Sequence, residues 1–236
     1  SSSTTTATTP VIDVMRTSTS TAASTQWNLG SWSSTQGYPA SVGFFEQRLV
    51  TARNTALPQS MWFSQSGDIE NQRPDSLSTG VVVVQGDDAL DFTIASDQVN
   101  PIRWVSPGTV LVMGTDGGEF IVDSNGAFIT PTDINVRRHT IVPVADVNPI
   151  RVDHAVLFNN KAGRRIHELA FKFEFQGYVA PDMTLLADHV LKSQVAEMTY
   201  QSQPDSILWA ARVDGQIATM TYRRDQVIVG WGRQIL

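Results

Sequence analysis

The chain has 236 residues, 41% of them hydrophobic, with 17 basic and 23 acidic side chains for a formal charge of −6. That suits one large domain or two small ones with a real core. It excludes a protein that wraps nucleic acid through a basic footprint. The absence of cysteine excludes disulfides, thiolate metal sites and cysteine nucleophiles, and no apolar run approaches the ~18 residues of a membrane-spanning helix.

Residues 1–36 read as an arm. Nineteen of the first 35 residues are Ser or Thr, and only Asp13 and Arg16 are charged. Such a segment has too little apolar surface to offset its ordering entropy, which predicts a flexible or extended conformation. It shows no basic region followed by an apolar stretch, the mark of a secretory signal.

Residues 37–236 read as a β domain. Short runs of Val, Ile, Leu, Thr and aromatics alternate with turn signals such as Ser66-Gly67, Asp116-Gly117-Gly118, Asn125-Gly126 and Asp214-Gly215. Four hairpins are predicted. Arg48–Ala52 pairs with Met61–Ser64 across a loop containing Pro58. Val110–Met113 pairs with Glu119–Val122, Ala155–Phe158 with His167–Phe173, and Ile207–Ala211 with Ile217–Tyr222. Leu49, Leu111, Leu157 and Leu208 begin these hairpins at spacings of 62, 46 and 51 residues. A period near 50 with about four strands per unit matches a propeller blade. The fold class is therefore all-β, a propeller-like array of hairpin blades, with a β-sandwich as the alternative. One short helix is predicted over Asp182–Leu191: apolar residues recur at 183, 186, 187, 190 and 191, forming a core stripe, and Asp182 stands as N-cap after Pro181.

The search for chemistry returns no catalytic, cofactor-binding or metal-binding residue. His167-Glu168 begins a zinc-protease string, but Phe171 occupies the place of the second histidine. No nucleophile elbow, phosphate loop or dinucleotide fingerprint is present. His139, His154, His167 and His189 read as hydrogen-bonded residues at core edges or interfaces. Asp188 and His189 would point about 100° apart on a helix and cannot act as an orienting pair. Asp87, Asp88 and Asp91, with Asp97 nearby, read first as turn residues accepting backbone N–H groups, then as calcium ligands or a glycosidase pair.

Arginine outnumbers lysine 14 to 3, with doublets at Arg137-Arg138, Arg164-Arg165 and Arg223-Arg224. Arginine suits partly buried ion pairs at subunit contacts. Of the six tryptophans (Trp27, Trp32, Trp62, Trp104, Trp209 and Trp231), Trp62, Trp104 and Trp209 fall on successive candidate blades, as repeated packing positions would.

The order of short motifs resembles one family. Gly37-Tyr38-Pro39, Phe44-Phe45-Glu46-Gln47-Arg48-Leu49, Pro58, Met61-Trp62-Phe63-Ser64 and Gly67-Asp68 come first. Asp87-Asp88-Ala89-Leu90, Asn100-Pro101-Ile102-Arg103-Trp104 and Thr130-Pro131 follow. Gly177-Tyr178, Ala180-Pro181-Asp182-Met183-Thr184, Leu186-Ala187-Asp188-His189, Gln203-Pro204, Leu208-Trp209, Asp214-Gly215, Thr221-Tyr222 and Gly230-Trp231 complete the series. Over residues 37–233 the chain resembles the tail nozzle proteins of short-tailed bacteriophages, also called tail tubular protein B. Family members are usually longer.

The resemblance implies a propeller-like structural virion protein of the phage tail, made in the host cytoplasm. It implies a ring, usually of six copies, that lines or extends the DNA exit channel below the portal and adaptor rings. Double-stranded DNA would pass without specific binding, and there would be no catalysis and no cofactor. Two other readings stand beside it. One is a receptor- or glycan-binding tail component using the tryptophans and the loops Thr51–Gln59 and Asn159–Arg165. The other is a glycan hydrolase using Asp88 and Asp91.

Overall fold

The computed structural model describes residues 31–234, apart from positions 75, 79, 80, 97 and 227. The chain divides into two units, Ser1–Ser31 and Trp32–Leu236. The expected arm falls mostly on residues 1–30, outside the described residues. The β unit takes in residues 32–36: Trp32 stacks edge-on against Trp62 at 5.8 Å, and Ser33 bridges to Gly37.

The β unit holds four antiparallel four-stranded sheets. The first blade contains β1 (Ser41–Phe45), β2 (Arg48–Ala52), β3 (Ser60–Phe63) and β6 (Leu90–Thr93); a small hairpin, β4 (Ser76–Ser78) with β5 (Val81–Val83), lies in the connection before β6. The second contains β7 (Ile102–Ser106), β8 (Leu111–Thr115), β9 (Gly118–Asp123) and β10 (Asn135–Arg138). The third contains β11 (Ile150–Val152), β12 (Ala155–Asn159), β13 (Ile166–Lys172) and β14 (Gly177–Val179). The fourth contains β15 (Val195–Gln201), β16 (Ile207–Arg212), β17 (Ile217–Arg223) and β18 (Ile228–Gln234). In every blade, spatial order follows chain order. All four expected hairpins form, and each joins the second and third strands of its blade. This serial array is propeller-like; two facing sheets, as in a sandwich, are not what the chain builds.

Strand alternation sends successive side chains to opposite faces of a sheet, so a middle blade must be apolar on both. Val112 and Ile121 join Trp104, Val156, Phe158 and Leu169 in the core between blades two and three. Their neighbours Leu111, Met113, Phe120 and Val122 join Val50, Met61 and Phe63 in the core between blades one and two. A third core, with Leu157, Ile166, Leu208 and Met220, joins blades three and four.

The four leucines of the apparent repeat do not share one structural position. Leu111 and Leu208 face the preceding blade, Leu157 faces the following one, and Leu49 is only half-buried. The repeat is one of strand order. The tryptophans likewise differ in place: Trp62 lies on a third strand, Trp104 on a first and Trp209 on a second.

The expected helix over Asp182–Leu191 does not form; successive turns take its place. Tertiary pairing wins over helical periodicity. Glu168 N–H donates to the Pro181 carbonyl at 3.1 Å and Met183 N–H to that of Ile166 at 2.9 Å, binding the start of the segment to β13 in extended geometry. Further on, Ala187 and Val190 donate to carbonyls three residues back, at 2.9 and 2.8 Å. Ala187, Val190 and Leu191 are buried as expected and Met183 is partly buried, but Leu186 is 96% exposed, so it is not core.

Candidate functional site

Antiparallel order puts successive connections at opposite ends of the blades. At one end, five charged residues form a chain across three blades. Arg53, after β2, donates to Asp146 at 3.0 Å. Asp146 is 3.6 Å from Arg103, on β7. Arg103 grips Asp116, in the β8–β9 turn, through Nε at 2.6 Å and Nη2 at 3.0 Å. Asp116 also accepts from Lys161, in the β12–β13 loop, at 2.9 Å. The Arg103 hydrogen bonds hold the Asp116 carboxyl below its ordinary pKa, against the opposing effect of burial.

The other end carries a second fastening. Arg48 is 3% exposed, and its guanidinium donates to four backbone carbonyls. Nη1 reaches Ser64, Asp87 and Asp88 at 2.8, 3.3 and 2.7 Å, and Nη2 reaches Gly86 at 2.8 Å. Burial pushes the Arg48 pKa down, with the nearby acidic charges opposing. Alongside, Glu46 accepts the N–H of Ile129 at 2.7 Å, tying the first blade to the β9–β10 connection of the second. Glu46 and Gln47 form the β1–β2 turn with φ of 48° and 61°.

The expected acidic residues separate. Asp88 is 1% exposed and its Oδ2 accepts the Gln85 N–H at 2.7 Å, a turn role. Asp91 is exposed on β6, opposite Trp62. Asp87 lines a cleft of about 390 Å³ with Glu46, Phe128 and Ile129, and neither Asp88 nor Asp91 shares its wall. Asp97 lies outside the described residues. No trio of His, Cys, Asp or Glu with metal-binding geometry occurs among the described residues.

His167 is held at a core edge, its Nδ1 3.0 Å from the Ala180 carbonyl and its ring stacked on Phe158. His139 packs edge-on against Tyr178, and burial lowers its pKa. His154 and His189 are exposed. Two arginine doublets place one member within the chain. Arg165 pairs with Asp182 at 2.5 Å, and Arg224 in the β17–β18 connection pairs with Glu168 of blade three at 2.9 Å. Arg164 and Arg223 line separate clefts.

Sequence reasoning missed Glu119. It is 0% exposed, both carboxylate oxygens lack a hydrogen-bond partner, and burial pushes its pKa up to about 8. No local signal marks it, because its neighbours in β9 are ordinary strand residues. The motif string did contain Arg48 and Arg103, but their bonding partners lie in distant segments.

No family model matches the chain, and no curated protein does. Among solved structures, a luciferin-regenerating enzyme is similar at 10% identity, over 75% of this chain and 69% of that one, with a TM-score of 0.30.

Proposed function

We propose that this protein is a structural component of a short-tailed phage tail, a subunit of a ring around the DNA exit path. The observation that carries the reading is where the resembling residues fall in the fold. Arg48 fastens the connection before β6. Arg103 anchors the ion-pair chain across blades one to three. Met61, Phe63 and Trp104 fill cores, and Asp182 ties the β14–β15 connection to Arg165. These motif residues serve as joints and core of the frame, as suits a building block, while others of the same motifs, among them Tyr38, Phe44, Leu186 and His189, lie exposed on its surface.

Two further features support it. Phe171, Phe173 and Phe175 are 50, 80 and 70% exposed around the β13–β14 turn. Clustered apolar surface of this kind marks protein contacts, and a closed ring needs a heterologous one. Cationic contacts add salt-dependent affinity for each phosphate neutralised. A chain of net charge −6 suits a channel wall that does not hold phosphates.

Antibody-gold electron microscopy of phage particles tests the reading. Label confined to the tail supports it, and its axial position separates a nozzle from a distal receptor-binding part. Particles that carry no label, intact or emptied of DNA, count against it.

A further inference from the structure

We propose that the cleft between the first and second blades receives the β13–β14 turn of a second copy of this chain. The contact rests on the ring proposed above, and it gives the exposed phenylalanines their counterpart.

The cleft forms where the β1–β2 turn, the connection into β6 and the β9–β10 connection meet. Its volume of about 390 Å³ is at the lower end of the roughly 300–1,000 Å³ range of ligand sites, which suits an inserted aromatic side chain. Phe128 and Ile129 give it an apolar wall, and Phe128 is itself exposed. Glu46 and Asp87 add carboxylates. The Ile129 N–H at 2.7 Å braces Glu46, while Asp87 is exposed. Arg48 is buried and turned toward backbone carbonyls, so the charge the cleft shows to a partner is acidic. The turn that shapes it is strained. Glu46 and Gln47 both take positive φ, where a two-residue hairpin turn favours Asn-Gly. Strain of this kind collects at ligand clamps.

The β13–β14 turn has the matching character. Phe171-Lys172-Phe173-Glu174-Phe175 is exposed throughout. Its base is anchored, because Phe171 packs edge-on against Tyr178 at 5.5 Å. Its tip is shaped by a 3-10 turn over Phe173–Phe175, closed by the Gln176 N–H to the Phe173 carbonyl at 3.1 Å. Phe173 and Phe175 offer rings for the apolar wall, and Lys172 between Phe171 and Phe173 offers a cation for Asp87. Glu174 suits the donors of the same cleft, the Gln47 amide and the Ser66 hydroxyl. Cleft and turn belong to different blades, so each copy gives one patch and receives on the other. Such a heterologous contact repeats from copy to copy and can close a ring.

Sedimentation equilibrium of the full chain should show concentration-dependent association. Phe173→Ser/Phe175→Ser should weaken it at least tenfold. Lys172→Glu and Asp87→Lys should each weaken it about fivefold, and the two together should recover most of the loss, since the exchange restores the pair. A benzophenone amino acid at position 173 should cross-link to residues 87 or 128–130 of another copy. Unchanged near-ultraviolet circular dichroism would show that each variant keeps its fold. A chain that stays monomeric at millimolar concentration, or a charge exchange that recovers nothing, overturns the proposal. These measurements need no phage particles. Association through this contact without label on tails would overturn the tail reading alone. Labelled tails with the position 173 cross-link elsewhere would overturn this contact alone.

Discussion

Arg103 holds Asp116 with two hydrogen bonds, Nε to Oδ1 at 2.6 Å and Nη2 to Oδ2 at 3.0 Å. This fork fixes the β8–β9 turn against β7, and Lys161 extends it to the third blade while Asp146 and Arg53 extend it to the first. Planar two-point recognition is a property of arginine, which a lysine cannot reproduce.

Arg103→Ala should therefore destabilise the protein by about 1–2 kcal/mol, a modest loss because the pair is only partly buried. The sign of the pH dependence follows from Asp116. Its folded pKa is depressed, so its stabilisation is present above the unfolded value and is lost as acid protonates it. Urea titrations should show the difference between wild type and variant at pH 7 shrinking below about pH 4. A difference that holds constant to pH 2 would show that Asp116 is not the partner that matters.

Glu119 acts with the opposite sign. Its folded pKa of about 8 exceeds the unfolded value, so the native state keeps a proton that the unfolded chain releases. Stability should fall as pH rises from about 4.3, by at most ~1.4 kcal/mol per unit, and level off above the folded pKa. Glu119→Gln should remove this decline and raise the urea midpoint most above pH 8. An unaltered pH profile in the variant would contradict the assignment.

Arg48→Met should cost about 3 kcal/mol, since it leaves the Ser64, Gly86 and Asp88 carbonyls without their Arg48 donor, while the Asp87 carbonyl keeps the Ser66 N–H, and it removes a charge that those dipoles had solvated. The first effect should be local. Limited proteolysis should open the connection between β3 and β6 before the rest of the domain. Simultaneous cleavage throughout the chain would show that Arg48 does not fasten this segment.

Gly114→Ala should destabilise by about 1–3 kcal/mol through overpacking. Gly114 pairs with Trp104 across β8 and β7, and a Cβ there would stand 2.3 Å from the indole Cε2. Near-ultraviolet circular dichroism should report the displaced indole. A variant as stable as wild type, with an unchanged spectrum, would refute the contact.

Phe173→Ser/Phe175→Ser should leave the isolated chain as stable as wild type, within about 0.5 kcal/mol for exposed positions. Under the proposed function, the same variant should fail to enter tails when supplied in place of wild type. Normal incorporation would remove these side chains from the subunit contact.

The amino-acid sequence by itself determined the four hairpins. Alternating apolar residues and turns such as Asp214-Gly215 act between near neighbours in the chain, so pattern and structure agree there. The apparent helix over Asp182–Leu191 shows the limit of that reasoning. Its periodicity is real, but Ile166 and Glu168 of β13 take up the backbone groups at its start, and no local pattern encodes that pairing. The leucine spacing failed in a similar way: it marks second strands, whereas the face each leucine presents depends on the register of its sheet. The joints were least legible of all. Arg103 meets Asp146 43 positions away, and Arg224 meets Glu168 56 positions away. Only the stacking of blades brings those charges together, and only the packing of β9 between blades deprives Glu119 of water. Short-range pattern chose the strands; long-range packing decided which side chains became core, clamp or cleft.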